Sequence, residues 1–253
     1  MTRKDTQFTR REALAGIGAV GFATLGAAGG RSTGSWNEYS DYTYAQSDTP
    51  WNVVVGWRRT ENGSVVDASP TDAVADVDPG VRLVDLNNAL PGDSGTASVG
   101  LRLDDPAGLV PDGVRVWLRL VPRVGSDPAS AALAERVSLD LRYDTGILGI
   151  GGCAGAESGF AAYGERIAAG PLASFDGSAL ASGVELTPGR LGNGCLAPDE
   201  RRCLAFSWAF DADGGNAGQG GTVDFDLSFA AVACGDEENP FLTAPAGDDG
   251  GQP

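Results

Sequence analysis

The sequence predicts an all-β chain folded as an antiparallel β-sandwich with short helical connections. Three observations carry this. Apolar and polar residues alternate with period two in five segments, and two more read as strands. Turn formers are abundant, with 38 glycines and 14 prolines in 253 residues. Helical periodicity is confined to two short stretches, neither long enough to form a layer.

Taken in order, residues 1–30 read as an export signal. A basic start is followed by an uncharged run, Ala13 to Gly30, in which 12 of 18 residues are Gly or Ala. So few large apolar side chains give a weak membrane span, and small residues close the segment as a signal peptide does. The adjacent Arg10 and Arg11 point to the twin-arginine route. A retained membrane anchor is the alternative. After cleavage no stable transmembrane segment is expected, and the protein is placed outside the cell or on its surface.

Residues 31–234 are expected to form one sandwich domain. Strands are predicted over Trp51–Trp57, Val81–Leu86, Ala97–Leu103, Val114–Leu120, Val137–Tyr143, Leu204–Phe210 and Val223–Phe229. Pro128–Arg136 and Leu172–Leu180 are the helical stretches. Gly146–Gly159 and Gly189–Arg202 read as loops. Residues 235–253, rich in Asp, Gly and Pro, are expected to be a disordered acidic tail. The tryptophans are expected in the core or on sheet faces; Trp117 falls on the charged face of its strand.

Composition excludes much chemistry. The chain has no histidine, which removes Ser-His-Asp and Cys-His catalysis and His-based zinc hydrolysis. Carboxylate-only glycosidase chemistry stays open. The formal net charge is −16, and without residues 1–30 it is −18, with 14 arginines against 32 acids. Such a surface repels phosphate backbones, so nucleic acid is not an expected partner. The balance is that of proteins from salt-loving organisms, where salt screens self-repulsion.

Cys153, Cys195, Cys203 and Cys234 form an even set in an exported domain, which implies two disulfides. Three pairings are open. Cys195–Cys203 is preferred because it closes a small loop before a strand, leaving Cys153–Cys234. A four-thiolate metal site is the rival, but the usual CxxC pairs are absent.

Other candidates have bland readings. Asp211-Ala212-Asp213-Gly214 superficially follows a calcium loop, but Thr222 stands where the bidentate Glu belongs, so a turn is expected. Asp104-Asp105, Asp224 with Asp226, and Asp248-Asp249 are paired carboxylates, common by chance at this acidity. No catalytic residue, metal site or cofactor is assigned. Asn62-Gly63-Ser64 is a glycosylation sequon and also a tight hairpin turn, with Asn62 the candidate acceptor.

Leu90-Pro91-Gly92-Asp93-Ser94-Gly95 followed by an alternating strand resembles exported proteins of the TasA/camelysin type, whose signal peptides are cut by the SipW peptidase. Here Pro91-Gly92 starts a turn, and Asp93 is expected to bond the backbone two residues on. Cys203-Leu204-Ala205-Phe206-Ser207-Trp208, then Gly215-Asn216, Gln219, Val223 to Phe229, Cys234 and Asn239-Pro240-Phe241 are similar to the end of haloarchaeal members of that group. Tyr39-Ser40-Asp41 is similar to the motif near the cleavage region. The resemblance touches much of 36–103 and 195–241. It departs at Gly221, where the family often has an acid, and beside the first cysteine, where an Asp-rich stretch is replaced by Gly and Ala. Camelysin-type relatives are linked to protease activity, but without histidine or HExxH a zinc mechanism has no ligands here.

The resemblance implies a jelly-roll-like sandwich displayed outside the cell and a non-enzymatic fibre or surface-matrix subunit. In several such proteins the segment freed by cleavage inserts as a strand into the next subunit. The matching donor segment would be Trp36 to Tyr44, with Trp36, Tyr39, Tyr42 and Tyr44 as its aromatic residues. An ordinary first strand of its own domain is the other reading. The expected partner is a second copy or another cell-surface protein. A monomeric envelope binding module and a carboxylate hydrolase are the alternative functions.

Overall fold

The computed structural model describes residues 41–45, 51–66, 80–147, 150–151, 153, 164–187, 194–198 and 200–243. All of them belong to one compact unit, Gly34–Pro253. The expected export signal, Trp36, Tyr39 and Asp248-Asp249 lie outside the described residues.

The alternating segments fold as two antiparallel sheets. The large sheet runs, in spatial order, β1 (Asp41–Ala45), β2 (Asn52–Glu61), β5 (Ser94–Asp104), β12 (Arg201–Phe210), β7 (Val137–Tyr143) and β10 (Arg166–Pro171), and β3 (Ser64–Val66) also pairs with β2. The small sheet runs β11 (Val184–Glu185), β6 (Val114–Val124), β13 (Thr222–Ala233) and β4 (Gly80–Asn87). A two-residue hairpin, β8 (Gly146–Ile147) with β9 (Ile150–Gly151), interrupts the expected loop after β7.

Alternation decides what is buried. Val99 and Leu101 of β5, Phe206 and Phe210 of β12, Leu139 and Leu141 of β7, Leu118 and Leu120 of β6, and Phe225 and Leu227 of β13 meet in one core between the sheets. Phe206 and Phe225 join the sheets at its centre, with ring centroids 5.2 Å apart and planes tilted by 46°. Trp51, Trp57 and Trp208 lie in this core as expected, while Trp117 is half-buried on the outer face of the small sheet.

Short helices close the sides. Helix α1 (Pro128–Arg136) links β6 to β7. Asp127 caps it by accepting the N–H groups of Ala129 (2.9 Å) and Ser130 (3.0 Å), with Pro128 in the first turn. The buried Ser130 hydroxyl accepts the Thr222 N–H at 2.8 Å and ties the helix to the start of β13. At Gly221 a Cβ would lie 2.6 Å from the Ala129 backbone, so this approach leaves no room for a side chain. Gly221 therefore permits helix and strand to touch.

The second helical stretch is split. A 3-10 turn (Leu172–Phe175) and helix α2 (Ala179–Ser182) replace one helix over Leu172–Leu180, because Gly177 takes φ 68° between them. Leu172, Phe175 and Leu180 enter the core, so this link carries the chain from the edge of one sheet to the edge of the other. Strand β10 was not expected. Its sequence Arg-Ile-Ala-Ala-Gly-Pro does not alternate, and a register shift between Arg166 and Ala168 breaks the period further.

The tail expectation is corrected for residues 235–243. After a turn at Cys234–Gly235, the chain forms helix α3 (Pro240–Thr243). The Asn239 carboxamide accepts the Phe241 N–H (3.0 Å) and donates to the carbonyls of Ser182 (3.0 Å) and Gly183 (3.2 Å). Acidity predicted disorder, but one cap residue and one aromatic ring anchor the segment.

Phe206→Ala is expected to lower unfolding free energy by about 3–5 kcal/mol, as for other fully buried aromatics. Chemical denaturation in molar salt measures it; a loss below about 1 kcal/mol would contradict the core described.

Candidate functional site

The edge of the large sheet is the first candidate. β1 pairs only with β2, with Asp41 opposite Trp57, Tyr42 opposite Gly56 and Tyr44 opposite Val54. β3 takes the rest of the same edge, opposite Arg59 to Glu61. The β2 edge is therefore filled by two short segments meeting near Arg58. Of the expected donor segment, Trp36 to Tyr44, the described strand takes in Asp41 to Tyr44, with Tyr42 and Tyr44; Trp36 and Tyr39 lie outside the described residues.

Both turns at one end of the sandwich are latched together. Asn62, with φ 48°, forms the β2–β3 turn, and its Oδ1 accepts the Ser94 N–H at 3.0 Å. Its Nδ2 donates to Asp93 at 3.1 Å, and Asp93 also accepts the Leu90 N–H at 2.8 Å. Asp93 thus bonds backward to Leu90 and across to Asn62, not two residues onward. The candidate glycan acceptor is exposed, with one amide hydrogen bond committed to this latch.

The cysteines pair as Cys153–Cys203 and Cys195–Cys234. The preferred Cys195–Cys203 bridge is corrected. In β12 the residues facing the core are Arg202, Leu204, Phe206, Trp208 and Phe210, which turns Cys203 to the outer face. There it meets Cys153. Cys195 lies beside Leu196, which bridges Val114 of β6, and so reaches Cys234 at the end of β13. Sequence proximity favoured a bridge that strand alternation forbids.

Arg202 is the residue sequence reading missed. Its guanidinium is buried and donates to the carbonyls of Leu186 (2.6 Å), Gly194 (3.1 Å) and Cys195 (3.2 Å). Desolvation holds its pKa below the usual value. Extending the β12 alternation two residues back would have placed this charge inside. Beside it, burial pushes the Tyr143 phenol up to about 12.

The chain matches no family model, no curated protein and no solved structure. What the site can do therefore rests on its own residues.

Among the carboxylate candidates, Asp105, Asp224 and Asp211 are engaged in structure. Asp224 pairs with Arg123 at 3.2 Å. Asp105 accepts the N–H groups of Val110 (2.8 Å) and Leu109 (2.9 Å), and these bonds hold its pKa down. Asp211 accepts the Asp213 N–H at 2.9 Å in a 3-10 turn, Ala212–Gly214, in keeping with the turn reading of that motif. Burial pushes Asp140 up, but Arg142 (2.6 Å) and Arg166 (2.7 Å) outweigh it and leave its pKa lowered. Among the described residues no group of three or more His, Cys, Asp or Glu side chains is placed to hold a metal.

A groove of about 410 Å³ opens beside the Cys195–Cys234 bridge, between Leu109–Gly113 and Ala233–Gly235. Arg115 is its one cation, and it is held by Glu185 at 2.8 Å. The groove thus offers an apolar wall and a neutralised charge, not a converging set of reactive groups. Two disulfides fit an oxidising, extracellular setting. Among the described residues no helix is long and apolar enough to cross a membrane.

Two outcomes follow. Peptide mapping without reduction is expected to recover Cys153 linked to Cys203 and Cys195 linked to Cys234. Replacing either pair with alanine should cost about 4 kcal/mol for loops of this length by the chain-entropy model. Because the folded pKa of Tyr143 is raised, its contribution to stability is full below pH 10 and is lost as pH rises towards 12. Tyr143→Phe should flatten the alkaline limb of a pH–stability curve; an unchanged limb would contradict the burial of the phenol.

Proposed function

We propose that this protein is a non-enzymatic structural subunit of an extracellular or cell-surface layer, and that its copies join by exchanging β1. One observation supports this above the rest: β1 completes the large sheet at its edge, through backbone pairing to β2 alone. Such a strand makes the same hydrogen bonds whether it comes from its own chain or from a neighbour. The choice between the two is then set by concentration and by the short connection, residues 46–51.

The sequence resemblance to TasA/camelysin-type exported proteins supports the same reading. So does the position of β1, which begins ten residues after the segment read as an export signal. The carboxylate hydrolase finds no support, since Asp105 and Asp224 are held in a loop cap and an ion pair. A monomeric envelope module is favoured by a different observation, the self-pairing of β1 in a single chain.

The test compares chains starting at residue 31 and at residue 46, in molar salt, by size exclusion and negative-stain microscopy. Thr43→Pro in the longer chain removes one ladder N–H without removing the segment. Filaments from the longer chain alone, lost in the proline variant, are the expected result. Folded monomers at every concentration would overturn exchange and leave the envelope module.

A further inference from the structure

The segment after β13 lies across the outer face of the small sheet as a strap. It leaves Cys234, which is fixed to Cys195, and passes Gly235, where a Cβ would meet nothing within 4 Å. Glu237 then comes within 4.0 Å of Arg115, and Phe241 lies under the Arg119 guanidinium, 4.5 Å from ring centre to Cζ. Arg115, Trp117 and Arg119 are successive outward residues of β6, so the two contacts bracket Trp117.

The seat is shaped for its occupant. Gly183, with φ 98°, would place a Cβ 2.6 Å from Cδ2 of Phe241. Asn239 closes on the carbonyls of Ser182 and Gly183. Ser228, buried although it faces outward, stands opposite Arg119 in the β13–β6 ladder, so the ring of Phe241 is seated over a closed part of the sheet.

The strap is nonetheless weakly held within one chain. Glu237 is 86% exposed at its side chain, so its pairing is close to the solvent limit. Leu242 is 70% exposed on the strap, and Val121, the next outward residue of β6 after Arg119, is 42% exposed. One chain therefore seats the ring of Phe241 but leaves adjacent apolar surface in water.

We propose that the strap, Gly235–Thr243, is exchangeable, and that its seat on β6 takes the same strap from a second copy of this chain. An identical segment satisfies the seat identically, and the hinge at Gly235 lies just beyond a covalently fixed root. The meeting of two copies brings the exposed Leu242 and Val121 of each within reach of the other. This junction is distinct from the β1 edge and does not require it.

The test uses three otherwise native chains: Ser182→Cys, Glu238→Cys, and the two combined. Ser182 contributes only its backbone carbonyl to the seat, and Glu238 is exposed beside Asn239. The single variants are mixed at reduced salt, returned to molar salt and treated with a short thiol cross-linker. A covalent dimer containing one of each variant is expected, and Gly183→Ala placed in the Ser182→Cys chain should abolish it. Cross-linking only within the combined variant, with the mixture monomeric, would overturn exchange. Absence of cross-links in every sample would overturn the seat itself. Filaments that persist without strap cross-links would leave β1 exchange standing and this proposal refuted.

Discussion

The alternation of β12 is the constraint on which the rest depends. This strand lies inside the large sheet between β5 and β7, and its two faces do opposite work. Inward, Leu204, Phe206, Trp208 and Phe210 supply the middle of the core. Also inward, Arg202 holds three carbonyls of the segment leading to Cys195. Outward, Cys203 ties down Cys153. A one-residue slip would put a cysteine in the core and the apolar face in water. Register, core and disulfide pairing are one decision made by one strand.

Charge is arranged around this frame. Eleven of the twelve arginines among the described residues lie in strands, against eight acidic residues there. The strands are thus slightly basic in a chain of net charge −16, and the acid excess falls on connections and ends. An arginine can bind across neighbouring strands, as Arg166 of β10 does on Asp140 of β7, beside Arg142 of the same strand. Acids on connections keep their hydration and repel one another at distances that salt screens.

The period-two signal made the seven long strands legible, because each buries one face. It failed where local sequence does not alternate: β10 carries a bulge, and β11 pairs through two residues only. Pro128–Arg136 was legible from its composition, and Asp127 and Pro128 account for its start. The cysteine pairing was not, since spacing along the chain says nothing about faces until the strands are set. Arg202 was legible in principle from its place in the β12 alternation, but a charge in an apolar row is easily taken as the end of the strand. The docking of Asn239–Phe241 was hidden by the acids before it, Asp236 to Glu238, which point to water while the next three residues point back to the sheet.

The edges of the sandwich explain why assembly is best sought at its terminal segments. β10 is blunted by its register shift and by Gly170 and Pro171. β6 becomes an edge beyond the reach of β11, and there it carries Pro122, which has no N–H to offer. β4 is bulged at Leu83, between Arg82 and Val84, which twists its outer edge away from a flat partner. On the remaining side β2 is covered by two short strands, β1 and β3, which form the outer strands there. The two segments proposed to exchange are short additions to this sandwich: β1 before it and the strap after it. Each rests on a few backbone or ring contacts, and each is joined by a short connection to a root fixed in the core or by a disulfide. The proposed exchange therefore involves segments outside the central pair, Phe206 of β12 and Phe225 of β13, on which the core is built.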